Sequence, residues 1–139
     1  MNAGGFLAIV LAAVAAWLFG AVYYGLLGKA WLAAQDRTIA QMRAAGAGTG
    51  SLRKVFPFVL SFVAEIIIAW MLARLLTYIG PATIRAGAIA GALCWAGFVL
   101  TTIAVNNAYA GRRATLTAID SGHWLGALVI IGAVLGALA

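Results

Sequence analysis

The chain has 139 residues, of which 65% are hydrophobic and only 9% are charged, and its net charge is +6. Soluble domains usually carry about 25% charged residues, so this composition excludes a water-soluble monomer with ordinary surface polarity. The basic residues flank apolar runs instead of lining one polar face, which argues against nucleic acid as a partner.

Four apolar runs are each long enough to cross a membrane. They cover residues 5–27, 56–79, 85–109 and 116–138, and about 20 helical residues cross a hydrocarbon core of roughly 30 Å. Backbone polar groups in lipid need partners within their own segment, so each run is predicted to be an α-helix. The predicted fold class is therefore all-α, a single domain over residues 1–139 built as an integral membrane bundle of four transmembrane helices.

The segment between the first two runs is predicted to contain a cytoplasmic interfacial helix. Over residues 31–43, Leu32, Ile39 and Met42 fall on one helical face, and Asp36 with its neighbouring arginines lies mostly off it. An extension of the first span and a solvated connector are the alternatives. The glycine-rich stretch that follows, within residues 44–54, is predicted to be a flexible linker.

Basic residues are distributed unevenly between the gaps that separate the runs. Seven of the nine lie in the first and third gaps, namely Lys29, Arg37, Arg43, Arg53, Lys54, Arg112 and Arg113. The positive-inside rule places these gaps in the cytoplasm and both termini outside, in a bacterial inner membrane. We expect the same residues to contact anionic lipid head groups.

Small residues recur at four-residue spacing in the last two runs, as in Gly87 and Gly91 or Gly132 and Gly136. Such spacing allows close approach of helix backbones in lipid. It predicts either a tight bundle within one chain or a seam between copies. The expected partners are therefore membrane lipids and, as an open alternative, a homo-oligomer or a larger membrane complex.

Polar residues inside the runs indicate where a site would lie. Glu65 is predicted to lie near the membrane midplane, where a carboxylate must be protonated, paired or hydrated. The predicted topology brings further polar groups to the cytoplasmic half of the bundle. The candidate cluster is Glu65, Tyr23, Tyr24, Asn106, Asn107, Asp120 and His123. A cytosol-facing pocket for an ion or small ligand and a hydrogen-bond network that holds four helices together both fit this pattern.

The sequence contains no complete motif for catalysis, metal binding or a cofactor. His123 is the only histidine, so the chain cannot supply two histidine ligands to a haem, and it has no cluster of cysteine and histidine for zinc. Residues 46–51 lack the lysine of a phosphate-binding loop. We therefore expect no catalytic residue, no metal and no cofactor.

Four segments resemble the small bacterial membrane proteins grouped as domain of unknown function 1761. They are residues 20–31 (GAVYYGLLGKAW), 97–102 (GFVLTT), 106–113 (NNAYAGRR) and 119–125 (IDSGHWL). That family more often has a tryptophan where this chain has Tyr23, and a proline before Gly-Lys that is absent here. The resemblance implies a four-span membrane protein and supplies no activity.

Three functions are compatible with these features. The first is a non-enzymatic accessory or structural component that acts through helix packing in a membrane assembly. The alternative is a small-solute or ion transporter or channel, expected to be oligomeric, that uses a cytosol-facing polar site around Glu65. A membrane-embedded enzyme using Asp120 and His123 is the third.

The basic-residue bias predicts which loops face the cytoplasm. Single cysteines at Thr49 and Thr83, with Cys94 replaced by alanine, should differ in their reaction with a membrane-impermeant maleimide applied to intact cells. Thr83→Cys should be labelled from outside and Thr49→Cys should be protected. The reverse pattern would invert the topology.

Overall fold

The computed structural model describes residues 3–47, 50–80 and 83–139. Within these ranges the chain forms helices and no strands, in the order α1 (Ala3–Ala34), α2 (Ile39–Gly46), α3 (Ser51–Ile79), α4 (Ile84–Cys94), a π-helical segment (Trp95–Leu100), α5 (Thr101–Tyr109) and α6 (Ala114–Ala137). The helix from α4 to α5 is continuous. Together with α1, α3 and α6 it makes four helices long and apolar enough to cross a membrane. The predicted all-α membrane bundle is confirmed.

The first helix is longer than the predicted first span. It continues to Ala34, and Leu32 and Ala34 near its end are both buried. Residues 31–34 therefore belong to α1 and not to a separate interfacial helix. The chain then turns through Asp36, whose φ of 57° lies in the left-handed region. This turn divides the predicted amphipathic segment 31–43 into two parts.

The short helix α2 begins at a capping box. The Thr38 hydroxyl accepts a hydrogen bond from the Gln41 backbone N–H at 3.2 Å, and the Gln41 side chain accepts one from the Thr38 N–H at 2.8 Å. The predicted linker over residues 44–54 is mostly helical, because α2 extends to Gly46 and α3 begins at Ser51. Thr49 lies outside the described residues.

Helix α6 makes the most extensive contacts in the bundle, packing against α4 on one side and α1 on another. Three contacts, each four residues apart, form an antiparallel seam between α4 and α6: Thr83 with Gly136, Gly87 with Gly132, and Gly91 with Leu128. A Cβ atom at any of the four glycines would overlap a backbone carbonyl group of the opposing segment. The small residues predicted from sequence therefore act within one chain.

The rest of the core lies where α1 packs against α3 and α6. Small residues dominate the α1 face, where Ala12, Ala13 and Ala16 have no exposed surface. They pack with Ala69 of α3 and Ile131 of α6, which are equally inaccessible. The α1 backbone therefore lies close to both neighbouring helices, as small residues at helix interfaces permit in lipid.

The third span changes helical form at its centre. A π-helical segment inserts an extra residue into the hydrogen-bond ladder, and such segments occur mostly as single turns within α-helices. The Trp95 indole N–H at its start donates a hydrogen bond to the Ser121 carbonyl at 2.7 Å. This bond joins the π-helical segment to α6 beyond the end of the glycine seam.

The seam between α4 and α6 should be sensitive to a single methyl group. Gly132→Ala would place a Cβ against the Gly87 carbonyl, so the two helices must separate. We expect a loss of about 1–3 kcal/mol in unfolding free energy, the usual cost of overpacking. The measurement is thermal or denaturant unfolding in detergent micelles.

Gly97→Ala is the matched control in the third span. A Cβ at Gly97 meets nothing within 4 Å among the described residues. Its stability should stay within about 0.5 kcal/mol of the parent, as for ordinary surface substitutions. Equal losses in the two variants would contradict the seam as the source of the effect.

Candidate intramembrane polar site

Asp120 joins the end of α1 to the beginning of α6. Its Oδ1 atom accepts a hydrogen bond from the Tyr24 hydroxyl at 3.0 Å and another from the Trp31 indole N–H at 2.9 Å. The Tyr23 hydroxyl donates to the Ile119 carbonyl at 3.0 Å. The two tyrosines and Trp31 thus fasten α1 to one turn of α6 through three bonds that are sheltered from solvent.

His123 lies one turn further along α6 and is surrounded by aromatic rings. It is 7% exposed, and ring centroids of Tyr24, Trp124, Tyr23 and Phe19 lie 5.0, 5.2, 5.7 and 6.1 Å from its own. A Cβ at Gly20 would lie 2.7 Å from His123 Nε2. Glycine at position 20 therefore makes room for the imidazole against α1.

A cleft of about 400 Å³ separates α1 from α3 beside this histidine. Its lining combines small and aromatic residues with a few polar groups: Trp17, Gly20, Ala21, Tyr24, Gly25, Phe58, Ser61, Glu65 and His123. The volume falls within the range typical of small-molecule sites, about 300–1,000 Å³. The structure thus brings Glu65, Tyr24 and His123 to one concave surface.

Glu65 is the chemically unusual member of this surface. It is at the middle of α3, only 1% exposed, and its Oε2 atom has no hydrogen-bond partner in the described part of the chain. Ser61 lies one turn away, but its hydroxyl donates to the Phe58 carbonyl at 2.9 Å and accepts from the Trp17 indole at 3.1 Å. The Glu65 carboxyl is therefore available to a proton or to a cation.

Two residues of the predicted cluster lie elsewhere. Asn106 is exposed on the outside of α5. Asn107 donates a hydrogen bond to the Thr117 hydroxyl at 3.0 Å, which ties α5 to the first turn of α6. Neither side chain takes part in the hydrogen bonds to Asp120.

The seven basic residues of the first and third gaps are all exposed. Arg113 forms an ion pair with Asp36, and both side chains are well exposed. This contact shows that the loop before α6 and the turn after α1 lie at the same end of the bundle. The exposed pair is expected to add little to stability.

Three tryptophans join neighbouring helices. Trp17, Trp31 and Trp95 each donate an indole hydrogen bond to a residue of another helix. Trp31 lies seven residues after Tyr24, close to two helical turns, so the spacing places the two side chains on one face of α1 without naming their partner. No comparable spacing pointed to the pair of Trp17 and Ser61.

Metal-ligating side chains are sparse in the described ranges. No group of three or more histidine, cysteine, aspartate or glutamate residues lies together there. At the cleft, Glu65 and His123 contribute one carboxyl and one imidazole. The remaining lining is largely apolar.

The model of a family described as protein of unknown function (DUF1761) matches residues 7–136. The chain belongs to the DUF1761 family. The match includes every residue that lines the cleft and the whole Asp120 network, so both lie in the part shared with that family model. Comparisons with curated proteins and with solved structures gave no match.

Glu65 should be more costly to the fold than an apolar residue in its place. A buried polar group without a hydrogen bond costs roughly 1–3 kcal/mol, and leucine has a similar volume without that penalty. We therefore expect Glu65→Leu to unfold at the same or a higher temperature than the parent protein, and Glu65→Gln to differ little from it.

Thermal unfolding of the three proteins in the same detergent tests this expectation. If Glu65 instead anchors helices through hydrogen bonds, the leucine variant would lose stability and the glutamine variant would retain it. That pattern would make the carboxyl a structural group and would remove the reason to assign it a ligand.

Proposed function

We propose that this DUF1761 protein is a non-enzymatic component of the bacterial cytoplasmic membrane that acts through helix packing in a membrane assembly. The observation that carries the proposal is the close packing at the centre of the bundle, where five described residues have no accessible surface. A chain whose described residues are closely packed between two separate clefts is better suited to binding other components than to conducting solutes.

Two clefts approach this centre from opposite ends of the bundle. One ends at Glu65, and the other, of about 260 Å³, lies at the far end beside Arg74, Gly80 and the end of α6. Between them, Ala12, Ala13, Ala16, Ala69 and Ile131 have no accessible surface. These close-packed residues support a role that does not require passage through one subunit.

The exposed surface supports association with lipid and with other membrane helices. Helix α3 exposes apolar side chains along most of its length, including Phe56, Val63, Ile67 and Met71. The proposal places the exposed basic residues at the cytoplasmic surface, where they contact anionic lipid, and both termini outside. A homo-oligomer or a larger complex would cover part of the α3 surface.

Transport of a small solute or ion is the second candidate, and one observation favours it. Glu65 lies at the middle of a helix long enough to cross a membrane, and its Oε2 atom has no partner among the described residues. Ionisable groups within membrane spans commonly belong to ion or substrate pathways. This role would require the alanine-rich layer to open, or a path to form between subunits.

Reconstitution into liposomes separates the two candidates. For the accessory role we expect no ion or small-solute flux above that of empty vesicles, because the close-packed centre blocks passage. Saturable flux that disappears in Glu65→Gln, with folding retained, would replace the accessory role by transport. Native mass spectrometry of the same preparation reports the number of subunits and any bound small molecules.

A further inference from the structure

We infer that the cleft between α1 and α3 binds a small organic cation, an ammonium ion that carries apolar substituents, with its charge at the carboxyl of Glu65. The inference concerns binding, and it goes beyond the accessory role proposed above. It does not require the ligand to cross the membrane, so the absence of flux leaves it intact.

The first step rests on the unsatisfied carboxyl. Glu65 is almost completely buried, lines the cleft and has no partner for Oε2 among the described residues. The nearest polar side chain on its own helix, Ser61, already donates and accepts within the protein. A carboxylate in this position needs a positive charge or hydrogen-bond donor from outside the chain.

The second step rests on the other walls of the cleft. Trp17, Tyr24 and Phe58 contribute aromatic rings, and Ala21 and Gly25 leave the α1 side open. Aromatic rings attract alkylammonium groups, and an aromatic lining is the usual way in which proteins hold quaternary ammonium ligands. The combination of one carboxyl with several aromatic rings matches a cation that has an apolar surface.

An inorganic cation fits this lining poorly. Calcium and magnesium take six or more oxygen ligands, or keep several waters. Here the side-chain oxygens are those of Glu65, the engaged Ser61 hydroxyl and the Tyr24 hydroxyl, which donates to Asp120. An organic ammonium ion instead brings its own apolar substituents to the apolar part of the wall.

The mouth of the cleft indicates a route from the lipid. Ala21, Gly25 and Phe58 at the mouth are exposed, and the adjacent surface of α1 is formed by exposed Leu18 and Val22. An organic cation can approach along this apolar surface, and a lipophilic amine can also enter from the bilayer in its neutral form.

The proton balance of this route is simple. A neutral amine that meets the protonated Glu65 carboxyl accepts its proton: the O–H bond breaks, an N–H bond forms, and a carboxylate–ammonium pair remains. A quaternary ammonium ion has no such step, and the carboxyl proton leaves to water. Both the neutral amine and the quaternary ion end as an ammonium ion paired with the Glu65 carboxylate in the cleft.

The test uses benzyltrimethylammonium, whose charge does not depend on pH. Equilibrium dialysis of the labelled ion against the full chain in nanodiscs of zwitterionic lipid measures binding, with empty nanodiscs as the blank. We expect saturable binding at one site per chain. We expect Glu65→Gln to weaken it by about tenfold or more, because the variant removes the buried charge partner.

Two controls make the result specific. Asp36→Asn removes an acid at the protein surface, outside the cleft, and should bind as the parent does. Neopentylbenzene, the neutral carbon isostere of the probe, should not compete. The unfolding temperature of each variant confirms that the bundle is intact.

Trp17→Leu removes one aromatic wall of the cleft and leaves the carboxyl in place. It should weaken binding to a smaller extent than Glu65→Gln.

Four results would overturn the inference. Absence of saturable binding by the parent protein would remove the site. Equal binding by Glu65→Gln, or equal loss in Asp36→Asn, would show that the Glu65 charge does not hold the ion. Effective competition by neopentylbenzene would show that the cleft takes an apolar molecule and does not recognise charge.

Discussion

The close backbone contact between α4 and α6 is the constraint on which the rest of the bundle depends. Glycines at positions 87, 91, 132 and 136 leave no room for a Cβ, so their helices lie backbone against backbone. In lipid the apolar environment does not drive apolar helices together, and association relies on close packing and on interhelical hydrogen bonds. With α4 fixed against one face, α6 presents its other faces to α1 and α3.

At the interface between α1 and α6, larger side chains of α1 pack against further small residues of α6. A Cβ at Gly126 would collide with the ring of Phe19, and one at Gly122 would lie 2.7 Å from the Tyr23 hydroxyl. These gaps let the aromatic residues of α1 reach the α6 backbone. The hydrogen bonds to Ile119 and Asp120 follow from this placement, because the hydroxyls of Tyr23 and Tyr24 lie within reach of one helical turn.

Two carboxyl groups within the bundle, buried Glu65 and half-buried Asp120, have opposite environments. Asp120 receives two side-chain hydrogen bonds and joins two helices, so its polarity contributes to the structure. Glu65 adjoins a cleft, and its Oε2 has no partner within the described residues. A group that costs stability without holding helices together is more readily explained by function than by folding. The proposed binding site therefore lies at Glu65 and not at Asp120, whose Oδ1 already accepts two hydrogen bonds.

Length and hydrophobicity alone determined the four membrane helices, because a backbone in lipid has few alternatives to a helix. The sequence also determined that Glu65 would lie deep in the second span, since depth follows from position along a helix. The extension of α1 to Ala34 was one of the alternatives left open for residues 31–43. The helical start of α3 was not predicted, because the glycine-rich stretch before it indicated a linker. Family membership could likewise be read from local residue patterns.

Only the tertiary structure decided which side chains meet. The partner of Trp17 is on α3, and that of Trp31 is on α6, and neither pairing can be read from spacing along one helix. The sequence did not distinguish Asn106 from Asn107 as candidates. In the structure, the rotation of α5 leaves Asn106 exposed and turns Asn107 toward Thr117. The cleft itself depends on where α1 and α3 diverge, which is set by side-chain volumes on two helices at once. The rotation of a helix and its distance from a neighbour depend on the side chains of both packed surfaces. They are therefore set by the packing of the whole bundle and not by the residue pattern along one helix.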